Sequence, residues 1–204
     1  LNAFESEFIR EHSEDQSNTI IINTCAVTAE AERQARQTIR RVRRNNPDAR
    51  LIVTGCAAQL DPKGYGNMPE VNKVLGNREK LNFTNFLSAS ENNRISVKDI
   101  MKATETAPQL ISGFEGRARA FVEIQQGCDH RCTFCIIPFA RGPNRSVCVD
   151  HIVKQVQLLT KKGFKEIVLT GVDICSFGAD VSGTSTLGEL IQHLLSVVPD
   201  LPRL

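Results

Sequence analysis

Three cysteines, Cys128, Cys132 and Cys135, lie within eight residues at the spacing C-x3-C-x2-C. A loop with that spacing can curl its thiolates around one inorganic centre, and soft sulfur ligands select iron–sulfur clusters or zinc. Structural zinc sites are normally closed by four ligands arranged as paired knuckles. Neither a second C-x2-C nor an H-x3-H pair follows here, so zinc is the weaker reading. A four-cysteine cluster would recruit Cys148 or Cys175 as its last ligand, whereas a three-cysteine cluster leaves one iron open to a small molecule. Two further cysteines, Cys25 and Cys56, each follow directly on a short apolar run. By residue type alone they read as small buried hydrophobes, a common role of free cysteine.

The elements that must position these thiols are visible as changes of period. Residues 19–24 read TIIINT, a β-branched run that predicts a buried strand ending at Cys25. Ala31, Ala35, Ile39 and Val42 recur at helical spacing over 31–44, and Asn45-Asn46-Pro47 stops that helix. A second strand over 51–54 runs into Gly55-Cys56, and 71–75 is a third candidate before Gly76-Asn77. Strand, helix, strand in alternation implies a parallel sheet. Open α/β sheets place ligands at the carboxyl ends of their strands, and Cys25 and Cys56 would share that edge.

Residues 88–118, including ENNR and TETAPQ, lose all periodicity and read as a linker. Beyond them a strand at 120–124, a helix at 149–160, a strand at 166–169 and a helix at 187–198 form a second βαβα unit, the repeat of β/α barrels. The expected organisation is a parallel-sheet α/β domain over 1–87, the linker over 88–118, and the start of a partial TIM-type β/α barrel over 119–204. The chain opens at Leu1 instead of methionine and ends at Leu204 with too few units to close a barrel, so both domains are expected to be truncated.

Composition sets outer limits. The 204 residues allow one large or two modest domains, and 41% hydrophobic with 24% charged residues is an ordinary globular balance. No apolar run approaches the ~20 residues of a membrane span. A net charge of +2 carries no nucleic-acid argument by itself. Arg33, Arg36, Arg40, Arg41, Arg43, Arg44 and Arg50 do crowd one stretch with Asp48 as its one acid, reading either as a phosphate-binding face or as a solvated helix surface. An odd count of seven cysteines and no secretory signal point to reduced thiols and a cytoplasmic setting.

The stretch QGCDHRCTFCIIPFARGPNRS, Gln126 to Ser146, resembles the cluster-binding loop of radical S-adenosylmethionine methylthiotransferases. The resemblance implies that Cys128, Cys132 and Cys135 hold a [4Fe–4S] cluster whose fourth iron is chelated by S-adenosylmethionine. Reductive cleavage of that cofactor then gives a 5′-deoxyadenosyl radical, and the protein's task is orientation. Phe134 occupies the position of an aromatic residue near the adenine, against the alternative that it packs under the loop. Gly171 and Asp173, in LTGVD at 169–173, resemble the segment lining the S-adenosylmethionine site.

LNAFES at 1–6, INTCAVT at 22–28 and VTGCAAQ at 53–59 resemble the family's amino-terminal domain, which carries an auxiliary [4Fe–4S] cluster on three cysteines. Cys25 and Cys56 match two of them. The third is expected upstream of Leu1, so this chain alone is expected to assemble that cluster poorly. Cys148 and Cys175 match no ligand position.

Arg141 and Arg145, beside the loop, are placed to meet a substrate, the alternative being pairing with carboxylates at the barrel mouth. RGPNRS at 141–146, LTGVDICSFG at 169–178 and GFEGRARAFVEIQQG at 113–127 resemble the branch acting on threonylcarbamoyladenosine; the isopentenyladenosine branch typically has Gln-Asn-Val where this chain has Gly171-Val172-Asp173. The resemblance thus implies methylthio insertion at C2 of N6-threonylcarbamoyladenosine beside the tRNA anticodon. It also implies a tRNA substrate, a flavodoxin- or ferredoxin-type electron donor, a sulfur donor and no membrane. Other readings are the isopentenyladenosine enzyme, an enzyme for a ribosomal-protein aspartate, and a non-catalytic metal or iron–sulfur module.

Overall fold

The β-branched run Thr19–Thr24 forms strand β1, and it pairs in parallel with β2 (Arg50–Gly55) without a slip, from Thr19 opposite Arg50 to Thr24 opposite Gly55. The structure, a computed structural model, describes residues 19–87, 94–104, 106, 118–181 and 186–204, so the LNAFES segment at 1–6 and most of 88–118 lie outside the described residues. The chain divides into two compact units, Leu1–Ile100 and Met101–Leu204.

In the first unit, helix α1 (Ala29–Asn45) makes the crossover that parallel strands require. The Thr28 hydroxyl caps it by accepting the Ala31 N–H at 3.0 Å, and Ile39, wholly buried, anchors it to the sheet. Leu51, Ile52 and Val53 of β2 are all buried in succession, without alternation, because a central strand is covered on both faces. Short helices α2 (Cys56–Leu60) and α3 (Pro62–Gly66) lead to β3 (Lys73–Leu75), and α4 (Thr84–Leu87) follows. A last strand, β4 (Ile95–Ser96), completes the parallel order β1-β2-β3-β4.

Strand β4 corrects the linker reading of 88–118 in part. Two residues are too few to show a period, and the strand is held by main-chain bonds: Val74 N–H to Arg94 C=O at 2.8 Å and Gly76 N–H to Ser96 C=O at 2.9 Å. The Arg94 guanidinium adds bonds to the carbonyls of Met68 and Val71.

The arginine run is also largely committed within its own unit. Arg43 donates to the carbonyls of Pro47, Ala49 and Glu70 and to Asn72 Oδ1 at 2.6–3.1 Å, riveting the end of α1 to the strands beside it. Arg36 meets Asp61 at 3.0 Å and lies 4.4 Å from the Tyr65 ring centre. Arg33 pairs with Glu30, and Arg50 donates to the Phe86 carbonyl at 2.8 Å.

The second unit has the βαβα order expected from its periodicity. β5 (Arg119–Gln126) and β7 (Glu166–Gly171) run parallel, joined through α6 (Val149–Lys161), and α7 (Leu187–Val197) follows behind a capping box formed by Thr186 and Glu189. Between β5 and α6 lie α5 (Ile137–Arg141) and the two-residue β6 (Arg145–Ser146), which pairs antiparallel to β5 and gives the order β6-β5-β7. Ala120, Val122 and Ile124 alternate into a core with Ile152, Val156, Leu159, Ile167, Leu190 and Leu194. Among the described residues the three strands form an open β/α sheet, not a closed barrel. Among the described residues no helix is long and apolar enough to cross a membrane.

Candidate functional site

In the first unit the unbroken register of β1 and β2 decides where the thiols go. Thr24 and Gly55 are partners, so the next residues, Cys25 and Cys56, leave neighbouring strands about 4.8 Å apart at the same edge. The Thr24 hydroxyl donates to the Thr54 carbonyl at 2.7 Å and accepts the Ala58 N–H at 3.1 Å, tying both strand ends to the first turn of α2. Gly55 has φ +100°, and a Cβ there would lie 2.2 Å from the Thr24 carbonyl oxygen. Only glycine fits that turn. Cys25 is exposed and Cys56 is buried. Just past β3, the Asn77 amide donates to Cys56 Sγ at 3.7 Å, and the Asn77 N–H is held by Gln59 Oε1 at 2.9 Å.

In the second unit the thiols sit on a loop that needs another kind of support. Gly127 has φ +72°, and a Cβ there would lie 1.9 Å from the Pro143 carbonyl oxygen, so the chain turns sharply as it leaves β5. The Cys128 N–H then bonds the Gly142 carbonyl at 3.1 Å, and the Cys135 N–H bonds the Cys132 carbonyl at 3.0 Å, closing a turn between the second and third cysteines. Cys132 is exposed; Cys128 and Cys135 are half-buried, and all seven cysteines are free thiols. Burial, above all, raises the Cys128 pKa, with the Asp173 carboxylate and Cys135 adding to it and the backbone N–H of His130 opposing. Three unbridged soft donors on one tight loop suit an iron–sulfur cluster with an iron to spare.

What fixes the loop is Gln125. Pairing of β5 with β7 is irregular between Glu123 and Gln125, and this bulge turns both Ile124 and Gln125 inward, each fully buried. The Gln125 amide N–H2 donates to the carbonyls of Gln126 and Gly127 at 3.0 and 2.7 Å and to Asn144 Oδ1 at 2.6 Å. Its Oε1 accepts the Asp173 N–H at 2.8 Å. One side chain therefore joins the start of the cysteine loop, the segment before β6 and the turn after β7. Asn144 extends the network to Ser176 C=O at 3.0 Å and Asp180 Oδ1 at 3.1 Å, and Asp180 in turn receives the Ser146 N–H at 2.8 Å.

Gly171 and Asp173 fall at this same place. Gly171 ends β7, and a Cβ on it would lie 2.8 Å from Gln125 Oε1. Asp173 Oδ2 accepts the Ser176 hydroxyl at 2.7 Å and the Cys128 thiol at 3.7 Å, and faces His130 Nε2 at 3.1 Å. Phe134 is 91% exposed, which rules out packing under the loop. Arg141 is half-buried and donates to Gln126 Oε1 at 3.2 Å.

Arg145 corrects an expectation. It is 7% exposed and donates to the carbonyls of Pro143 and Arg141 at 2.7 and 2.9 Å, so it holds the loop's return and does not face a substrate. Gln125, Asn144, Asp180, His130 and Asn77 were not singled out from the sequence. A trace of Gln125 was there, as a polar residue closing an apolar strand, but the bulge that turns it inward leaves no period to read.

Comparison with known proteins gives two family matches. The Radical SAM superfamily model matches residues 122–187, and the model described as uncharacterized protein family UPF0004 matches residues 2–76. The threonylcarbamoyladenosine tRNA methylthiotransferase MtaB of Rickettsia prowazekii (strain Madrid E) is 52% identical over 100% of this chain and 48% of its own length. The protein of the same name from Bacillus subtilis (strain 168) is 38% identical over 98% of this chain and 45% of its own. The chain spans about half the length of the curated relatives it matches. Among solved structures, the radical S-adenosylmethionine methyltransferase TsrM from Kitasatospora setae superimposes with a TM-score of 0.57 over 98% of this chain and 44% of that one, at 15% identity, a likeness of fold.

Proposed function

Because the chain belongs to the radical S-adenosylmethionine methylthiotransferases, we propose that it carries the cluster-binding part of an enzyme that inserts a methylthio group at C2 of N6-threonylcarbamoyladenosine next to the tRNA anticodon. The observation that carries this reading is the cysteine loop locked by Gln125 to the strand end bearing Gly171 and Asp173. That arrangement gathers metal donors and a carboxylate at the carboxyl ends of parallel strands, where β/α folds keep their chemistry.

In this reading Cys128, Cys132 and Cys135 hold three irons of a [4Fe–4S] cluster. S-adenosylmethionine bound to its open iron supplies the radical chemistry needed to break an unreactive C–H bond. Gly171 leaves room for the Gln125 side chain and so lets the strand end that carries the cofactor-binding segment close on the loop's network. Asp173, its own N–H pinned by Gln125, presents a carboxylate that suits a cationic amino group. Phe134 offers an exposed aromatic face to a flat base. Arg141, half-buried beside the loop, offers a cation to a phosphate of the tRNA.

Cys25 and Cys56 serve a second [4Fe–4S] cluster together with a third thiol, and the Asn77 amide bonded to the Cys56 sulfur tunes it. A flavodoxin- or ferredoxin-type electron donor, a sulfur donor and a cytoplasmic setting complete the proposal.

Nucleoside analysis of tRNA from cells lacking the gene tests the substrate. The 2-methylthio form of threonylcarbamoyladenosine should disappear and the isopentenyl form persist; loss of the isopentenyl form alone, or of neither, overturns the assignment.

A further inference from the structure

Among the described residues, Cys128, His130 and Asp173 form a grouping whose donor atoms all lie within 4.8 Å of one another. His130 Nε2 is 3.1 Å and Cys128 Sγ 3.7 Å from the same oxygen, Asp173 Oδ2. Around a tetrahedral zinc at its usual bond lengths, neighbouring nitrogen, oxygen and sulfur ligands stand roughly 3.3–3.6 Å apart. The two observed edges bracket that spacing. One thiolate, one imidazole and one carboxylate suit zinc, whereas iron–sulfur clusters take thiolates. The carboxylate is also oriented from outside by the Ser176 hydroxyl at 2.7 Å, as ligating groups in metal sites usually are, while the Gln125 bond to the Asp173 N–H fixes the backbone that carries it.

We infer that, in the protein without its cluster, Cys128, His130 and Asp173 form a zinc site with one coordination position left open. Cys128 cannot serve zinc and a cluster together, so zinc bound here excludes cluster assembly; that consequence rests on the reading of Cys128 as a cluster ligand given above. The competing arrangement, zinc on the three thiols Cys128, Cys132 and Cys135, makes opposite predictions.

The experiment is anaerobic titration of the iron-free protein with Zn2+ against a chromophoric chelator, and with Co2+ as an optical probe. His130→Ala and Asp173→Asn should each weaken zinc binding at least about tenfold, while Cys132→Ser changes it less than about twofold. The Co2+ charge-transfer band should carry the intensity of one thiolate, about a third of that of a three-thiolate site. Equal weakening by Cys132→Ser, a three-thiolate cobalt band, or unchanged affinity in both His130→Ala and Asp173→Asn overturns the site. The His130 side chain is 70% exposed, so its removal leaves the fold in place and keeps the test decisive.

A second arm follows iron and sulfide uptake. Zinc should slow uptake in the unaltered protein at least about tenfold and spare His130→Ala. If zinc binds through His130 and Asp173 while Cys128→Ser takes up as much iron as the unaltered protein, the cluster reading fails and the zinc site stands. If uptake needs Cys128 but zinc ignores His130 and Asp173, the zinc site alone fails.

Discussion

The two units put cysteines at the same kind of place, the carboxyl end of parallel strands, and hold them there by different means. Cys25 and Cys56 follow their strands without an intervening residue, so the register that pairs Thr24 with Gly55 sets them side by side. Their placement is a property of the sheet. Cys128, Cys132 and Cys135 lie on a loop with no ladder of its own, and their placement is a property of side-chain hydrogen bonds, Gln125 above all. A register is shared among many residues and resists single changes, whereas a buried polar network fails when one member leaves.

The largest expected effect is therefore at Gln125. Gln125→Ala leaves the Asp173 N–H, the Gly127 carbonyl and Asn144 without their buried partner and opens a cavity, which should cost about 3–4 kcal/mol in urea unfolding. A loss under about 1 kcal/mol would mean the loop does not depend on the network, and the contrast between the units would collapse. Next comes Gly55→Ala, where φ +100° and the 2.2 Å approach to the Thr24 carbonyl predict a loss of about 2–3 kcal/mol and faster labelling of Cys56 by a thiol reagent.

Thr24→Val should cost about 1–2 kcal/mol by removing the hydroxyl that bridges Thr54 and Ala58, with recovery in Thr24→Ser. That value, smaller than at Gln125, would support register as the main support of Cys25 and Cys56; a larger one would make both sites network-dependent. The smallest effect tests whether α1 is only a carrier of its strands. Hydrogen bonds from Arg33 and then Gln34 lower the Glu30 pKa from 4.5 to about 2. A depressed carboxyl contributes above its unfolded value and loses that contribution as pH falls through its folded one, so helix content should drop slightly between pH 4.5 and 2. Glu30→Gln should flatten the circular-dichroism profile over that window and leave both cysteine sites untouched.

How far all this could be read from the chain follows from the same contrast. TIIINT gave β1 its full extent because a β-branched run bounded by turn residues has one good structural answer, and the shared edge of Cys25 and Cys56 followed from alternation alone. The second unit's four regular elements were legible for the same reason. Residues acting through tertiary polar contacts were not. Gln125 turns inward only because of a bulge, β4 is too short to carry a period, and Arg145 sits among residues whose type says contact but whose carbonyls consume it. Arg43 shows the same limit: its five hydrogen bonds bring together residues from 47 to 72, and a charge run shows none of them.

The central claim is that the loop of Cys128, Cys132 and Cys135 binds the cluster that activates S-adenosylmethionine. Its most direct test is 5′-deoxyadenosine formation from S-adenosylmethionine under reductant, in the anaerobically reconstituted full-length gene product, compared with its Cys56→Ala and Cys132→Ala variants. The account predicts that the unaltered protein and Cys56→Ala form 5′-deoxyadenosine while Cys132→Ala falls to background; formation undiminished in Cys132→Ala would contradict it.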